Sequence, residues 1–120
     1  MSNISVGKQG EEIAAKYLKR HGYEVIERNF RSKRWGEIDI VAIENDTLVF
    51  VEVKARVGSK YGEPVEAVTP FKLRALERTG QYYKAEHPDL PDDLRIDVVA
   101  IVLGKDTGEP LKIELFEDAQ

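Results

Sequence analysis

Charged side chains interrupt two apolar runs that flank a short polar turn. The first run, residues 37–44, carries Asp39, and the second, residues 48–56, carries Glu52 and Lys54. Two apolar runs around such a turn predict a β-hairpin. Because an unpaired buried charge is costly, charges in apolar strands are normally paired or bound to a metal ion. The predicted hairpin therefore carries the first candidate residues for a chemical function.

The predicted hairpin brings Asp39 and Glu52 together, because they lie on neighbouring strands. Facing Cβ atoms are about 4.5–5.5 Å apart, and two carboxylates that close repel each other unless a cation or a proton intervenes. A few carboxylates with waters and phosphate oxygens suit Mg²⁺. Lys54 points to the same side as Glu52 and could stabilise negative charge on a phosphoryl group. The alternative is a solvated sheet face, although both runs are largely apolar on both faces.

The rest of the chain must supply the elements that position these residues. Glu11 lies at the border of the core face of an amphipathic helix, and Thr69 followed by Pro70 predicts the start of a second helix. This order predicts one α/β domain, residues 1–120, with helices packed on a mixed sheet. The predicted elements are helix 4–21, strands 23–31, 37–44 and 48–56, a loop at 57–63, helix 70–86, and strands 94–103 and 111–116.

Composition and charge exclude several classes of protein. The chain has 120 residues and no cysteine, which excludes disulfides, thiolate metal sites and thiol nucleophiles. It shows no signal peptide and no membrane-length apolar run, so we expect a cytoplasmic protein. The net charge of −4 is uneven: residues 1–85 hold 15 Lys and Arg against 12 Asp and Glu, whereas residues 86–120 hold 3 against 10. A polyanionic partner therefore remains compatible with the first part.

Basic residues surround the only tryptophan, Trp35. They could contact the phosphates of DNA while Trp35 stacks on a base; a solvated loop with a partly buried tryptophan is the equal alternative. The candidate nucleic-acid-binding residues are Arg28, Arg31, Lys33, Arg34 and Trp35, extended by Arg56, Lys60 and Lys72.

Three further residues receive structural interpretations. Asp97 is expected to pair with Arg95 or Lys54, or to lie at a strand edge, more readily than to bind a metal ion. Glu44 is expected to be exposed. Gly80 should weaken the second helix by about 1 kcal/mol relative to alanine.

A helix Glu, a strand Asp and a strand Glu-x-Lys occur here in an order that resembles the PD-(D/E)XK nuclease superfamily. More closely, the chain is similar to the YraN family of uncharacterised bacterial proteins, which is related to archaeal Holliday-junction resolvases. The resemblance covers about residues 7–102. It is carried by Gly7-Lys8-Gln9-Gly10-Glu11, Gly22-Tyr23, Asn29-Phe30-Arg31, Gly36-Glu37-Ile38-Asp39-Ile40-Val41 and Val49-Phe50-Val51-Glu52-Val53-Lys54-Ala55-Arg56, and more weakly by residues 61–68, Lys72 and residues 95–99.

The resemblance implies a restriction-endonuclease-like αβββαβ core and a Mg²⁺- or Mn²⁺-dependent nuclease that acts on DNA, including branched DNA, as a homodimer. It implies metal-ligand roles for Asp39, Glu52 and the Val53 carbonyl. It implies a catalytic lysine at Lys54 and a helix acid at Glu11. Ile38 stands where the motif usually has proline. A non-catalytic binding module on the same fold is the alternative.

Overall fold

A mixed five-stranded sheet with one helix packed on each face forms the domain in the computed structural model, which describes residues 5–58, 68–105 and 108–120. This α/β architecture confirms the predicted fold class and fits an αβββαβ core. The predicted loop at 57–63 lies mostly outside the described residues, and Val57 belongs to a strand. The elements are α1 Val6–Arg20, β1 Glu24–Ser32, β2 Gly36–Glu44, β3 Thr47–Val57, α2 Pro70–Glu86, β4 Asp93–Leu103 and β5 Pro110–Phe116.

The strands lie in the order β1-β2-β3-β4-β5. Neighbouring strands are antiparallel except β3 and β4, which are parallel and pair over their whole length, from Thr47 with Asp93 to Val57 with Leu103. A parallel pair needs a crossover connection, usually a helix, and α2 lies in that connection. β3 is the central strand of the five. Its charged residues can contact groups that precede the crossover connection in the chain and groups that follow its start.

The two helices begin at capping side chains. Ser5 accepts a hydrogen bond from the Lys8 N–H at 3.2 Å, and Thr69 accepts one from the Lys72 N–H at 3.2 Å. Thr69 precedes Pro70 at the first helical position, as predicted. No helix in the ranges 5–58, 68–105 and 108–120 combines the length and hydrophobicity of a membrane span.

Each helix approaches the sheet closely at a glycine. A Cβ added at Gly10 of α1 would lie 2.5 Å from the Cβ of Ala55, and one added at Gly80 of α2 would lie 2.6 Å from the Phe50 ring. The two glycines let the helix backbones pack directly on the central strand β3. They also fix which face each helix covers: Ile40 and Val51 lie in the core beneath α1, and Phe50 lies in the core beneath α2.

A break in β2 occurs at Asp39. Ile38 packs in the α2-side core, whereas Ile40 packs in the α1-side core. Residues two apart on a regular strand share a face, so alternation fails between them. The backbone pairing of β2 with β3 extends only from Glu44 and Thr47 to Ile40 and Val51. β2 and β3 therefore separate at Asp39.

A buried polar network links β4 with Tyr23, which precedes β1, and with Glu44 at the end of β2. Asp97 is fully buried and accepts hydrogen bonds from Tyr23, at 2.7 Å, and from Arg95, at 2.9 and 3.0 Å. The Arg95 guanidinium also reaches Glu44 at 2.8 Å. The pairing of Asp97 with Arg95 is as expected. The exposure expected for Glu44 is wrong, because only 17% of its side chain is exposed beneath that contact.

Candidate active site

Asp39 lies where β2 leaves β3, and its side chain replaces the missing ladder contact. Its Oδ2 accepts a hydrogen bond from the Val53 N–H at 2.8 Å. This bond holds the carboxylate between the two strands and brings the main chain of Val53 into the site. The role predicted for the Val53 carbonyl remains a prediction.

Glu52 is the second carboxylate of the site and is almost completely buried, with 5% of its side chain exposed. Burial raises the pKa of Glu52 to about 7, and the neighbouring Asp39 charge and a hydrogen bond between the two carboxyls act in the same direction. Two carboxyl groups this close repel each other when both are charged. A cation beside them relieves that repulsion.

Two ammonium groups face Glu52. The Nζ of Lys54 lies 3.7 Å from its Oε2, and the Nζ of Lys72, from the first turn of α2, lies 3.4 Å from the same oxygen. Both lysines oppose the rise in the pKa of Glu52. Side-chain spacing along β3 brings Lys54 to Glu52, whereas Lys72 arrives because α2 packs across the sheet.

Glu11 reaches the site from α1 and is partly buried. Its pKa is raised by burial first and by the Asp39 charge second, while a side-chain hydrogen bond with Asn29 lowers it. Asn29 lies on β1 with a left-handed φ of 56°, a conformation that asparagine adopts more readily than most residues. Sequence reasoning missed Asn29, although an asparagine within a predicted strand was a usable signal.

The donor set fits a divalent cation in part. Asp39 and Glu52 offer two oxygen ligands whose mutual repulsion a cation would relieve, and Mg²⁺ is often held by one or two carboxylates with waters and substrate phosphates. Over residues 5–58, 68–105 and 108–120, however, no three or more Asp, Glu or His side chains form a group able to hold a metal ion. The Asp39 charge acts on Glu11, and the role of Glu11 at the site remains a prediction.

The predicted basic cluster divides between the two faces of the sheet. Arg28 pairs with Glu12 of α1 at 3.0 Å. Arg31 pairs with Glu37 at 3.0 Å. Arg34 lies in the β1–β2 turn, with its guanidinium 4.8 Å from the centre of the Trp35 ring.

The remaining predicted basic residues differ in where they lie. Lys33 is exposed in the β1–β2 turn. Arg56 lies near the end of β3 and is partly buried. Lys72 contacts the candidate site itself, and Lys60 lies outside the described residues. The structure therefore brings Asp39, Glu52, Lys54 and Lys72 together. Arg28, Arg31 and Arg34 instead contact Glu12, Glu37 and Trp35.

Comparison with known proteins identifies the family. The model of the uncharacterised protein family UPF0102 matches residues 10–101. A UPF0102 protein of Rhodococcus opacus is 45% identical over 117 residues, covering 98% of this chain and 97% of that protein. UPF0102 proteins of Geotalea uraniireducens and Geobacter metallireducens are 46% and 43% identical, covering 98% and 99% of this chain and 90% and 94% of their own lengths. The chain therefore belongs to family UPF0102, the YraN family that its motifs resemble.

Proposed function

We propose that this protein is a metal-dependent nuclease that hydrolyses phosphodiester bonds of DNA, including branched or otherwise structured DNA. The observation that carries the proposal is that Asp39 and Glu52 lie close together where two strands separate, with Glu52 buried and faced by Lys54 and Lys72. A structural ion pair has no need of a second carboxylate. The second carboxylate, which such an ion pair leaves unexplained, would serve as a ligand of a bound divalent cation.

Each residue of the site has a role in this proposal. Asp39 and Glu52 would hold Mg²⁺ or Mn²⁺, with the Val53 main chain beside them. Once bound, the cation would polarise a phosphoryl oxygen and lower the pKa of a bound water. Lys54, with 31% of its side chain exposed, can turn towards a phosphate and stabilise the charge that develops on it. Glu11 would orient a water near Asp39.

Cleavage of defined DNA substrates tests the proposal. Wild-type protein with Mn²⁺ should cut at least one member of a panel of duplex, flap and four-way-junction DNAs. Asp39→Asn and Glu52→Gln should each lower the rate by 100-fold or more. Asp46→Asn, an exposed carboxylate in the turn of the same hairpin, should retain full activity. Product from neither wild type nor variants, or equal product from all, would contradict the proposal.

A non-catalytic nucleic-acid-binding or protein-interaction module is the second candidate. It is favoured by the two ion pairs to Glu52, since Lys54 and Lys72 can neutralise that charge without a metal ion. Calorimetric titration with Mn²⁺ separates the candidates. A nuclease site predicts binding heat in wild type that Asp39→Asn abolishes, whereas the module predicts no metal heat and DNA binding that persists without Lys54.

A further inference from the structure

Trp35 and Tyr82 form the shared wall of two open clefts on the α2 side of the sheet. One cleft, of about 550 Å³, is lined by Trp35, Arg78, Gln81 and Tyr82. The other, of about 530 Å³, is lined by Arg31, Ser32, Lys33, Arg34, Trp35 and Tyr82. Both clefts thus reach the two aromatic side chains, and the charged residues that line them are basic. The Arg34 guanidinium lies 4.8 Å from the centre of the Trp35 ring, so it must swing aside for a base to stack on that face.

The backbone of Trp35 is held rigidly. Ser32 Oγ accepts hydrogen bonds from the N–H groups of Arg34 and Trp35, at 3.3 and 3.2 Å. The buried Thr79 hydroxyl of α2 lies 3.0 Å from the Trp35 carbonyl and 2.7 Å from the Ala75 carbonyl, and these two acceptors share its one proton. The tight turn is thereby attached to the helix that carries Tyr82. A prearranged ring loses little entropy when a planar ligand stacks on it.

Tyr82 is also supported. Its ring centre lies 6.3 Å from that of Phe30, and the nearby negative charge of Glu86 raises the pKa of Tyr82. Tyr82 is nevertheless accessible, because 38% of its surface is exposed. An accessible tyrosine supported from behind and flanked by arginines suits a flat ligand attached to phosphate groups.

The clefts lie within reach of the candidate active site. Trp35 lies in the β1–β2 turn, four residues before Asp39, so at about 3.3 Å per extended residue the two are at most about 13 Å apart. Both features lie beside α2, whose Lys72 contacts Glu52 and whose Arg78 and Tyr82 line the clefts. At the duplex spacing of about 3.4 Å per phosphate, this distance corresponds to roughly four nucleotides, and to fewer in an extended strand.

We propose that Trp35 and Tyr82 form a stacking site for an unpaired nucleobase, with Arg34 and Arg78 contacting the adjoining phosphates. A base inside a duplex is stacked and paired, and is unavailable without an unstacking cost. The site therefore selects nucleic acid with unpaired nucleotides a short distance from the bond to be cut. This inference rests on the proposed function for the identity of its ligand, and it defines the substrate class of the same site.

The single tryptophan makes stacking directly measurable. Fluorescence excited at the red edge of tryptophan absorption, where the five tyrosines absorb little, reports on Trp35 alone, and a base stacked on its ring should quench it. The protein is titrated in EDTA at low salt with a duplex that carries a four-thymidine single-stranded arm, with the same duplex and arm made abasic, and with the blunt duplex. Arms at the 5′ and 3′ ends are both used. The thymidine arm should quench and bind most tightly.

Substitution separates stacking from phosphate binding. Tyr82→Ala should weaken binding of the thymidine arm by about 5- to 150-fold, the range for one stacked base, and should hardly change binding of the abasic arm. Tyr82→Phe should retain the wild-type affinity. Tyr17→Ala is the control, since Tyr17 lies on α1 at the opposite face of the sheet.

Two results would overturn the inference: an abasic arm that quenches and binds as well as the thymidine arm, or no binding of either arm. Because the titration contains no metal ion, its outcome is independent of cleavage. Base-dependent quenching by a protein that cuts no DNA would contradict only the nuclease proposal. Cleavage of duplex DNA without such quenching would contradict only the stacking site.

Discussion

Glu52 combines properties that stability alone does not favour. It is buried, and burial together with the neighbouring Asp39 charge raises its pKa to about 7. Its spacing from Lys54 and its position opposite Asp39 are readable from the sequence, because both follow from hairpin geometry. Its contact with Lys72 is not readable, because it depends on how α2 crosses the sheet.

Removing the Glu52 charge should stabilise the metal-free protein at alkaline pH. A raised pKa in the folded state means that folding stability is greatest below the ordinary carboxyl pKa and is lost as pH rises towards 7. Relative to wild type, Glu52→Gln should therefore gain on the order of 2 kcal/mol in free energy of unfolding between pH 5 and pH 8. Urea unfolding in EDTA measures the difference.

The exposed Asp46→Asn variant is the matched control, and its stability relative to wild type should be independent of pH over this range. If Glu52→Gln is instead less stable than wild type by a larger margin at pH 8, the ion pairs with Lys54 and Lys72 dominate. Glu52 would then be a structural residue.

Local sequence signals predict the helices and strands more completely than they predict the contacts between them. Thr69 and Pro70 predict the start of α2, and the two apolar runs that flank a polar turn predict the β2–β3 hairpin. The break at Asp39 was not predicted, because regular alternation gives no sign of where two strands separate. Gly80 was read as a weak point of its helix, whereas it lies against Phe50.

Gly80→Ala should destabilise the protein despite the higher helix propensity of alanine. The new Cβ would lie 2.6 Å from the Phe50 ring, and overpacking of this kind costs about 1–3 kcal/mol. Chemical unfolding tests this. Gly7→Ala is the control, because a Cβ there has only Ser5 Oγ nearby, at 3.9 Å, and it should be neutral or stabilising. A stabilising effect at Gly80 would refute the close packing.

Thr79→Val should loosen the turn that carries Trp35. The variant keeps the side-chain volume but removes the hydroxyl that donates to the Trp35 carbonyl. We expect a loss of about 1 kcal/mol in free energy of unfolding and increased mobility of Trp35, measured by fluorescence anisotropy. An unchanged anisotropy would show that Ser32 alone holds the turn.

At the scale of the whole molecule, the described residues form two polar centres with different roles, one around Asp39 and Glu52 and one around Asp97. The pair of Asp39 and Glu52 faces the ammonium groups of Lys54 and Lys72, whereas Asp97 accepts hydrogen bonds from Tyr23, Arg95 and the Asp118 N–H. The second centre ties the start of β1 and the C-terminal segment to β4. Sequence reasoning found the Asp97–Arg95 pair but not its other partners, because they are distant along the chain.

Asp97→Ala should cost about 3–5 kcal/mol, since it leaves the Arg95 charge without its buried partner. It should leave Mn²⁺ binding unchanged at a temperature where the variant is folded. Thermal unfolding and calorimetry measure the two effects. Loss of metal binding by folded Asp97→Ala would assign Asp97 to the metal site instead.

Anomalous diffraction from a crystal soaked with Mn²⁺ tests the central claim most directly. The account predicts a single strong peak between the carboxyl groups of Asp39 and Glu52, absent from a crystal of Asp39→Asn. The exposed acidic cleft lined by Asp46, Asp89, Asp92 and Asp93 provides an internal comparison. No peak, or a peak only at that cleft, would contradict the assignment of Asp39 and Glu52 as a metal site.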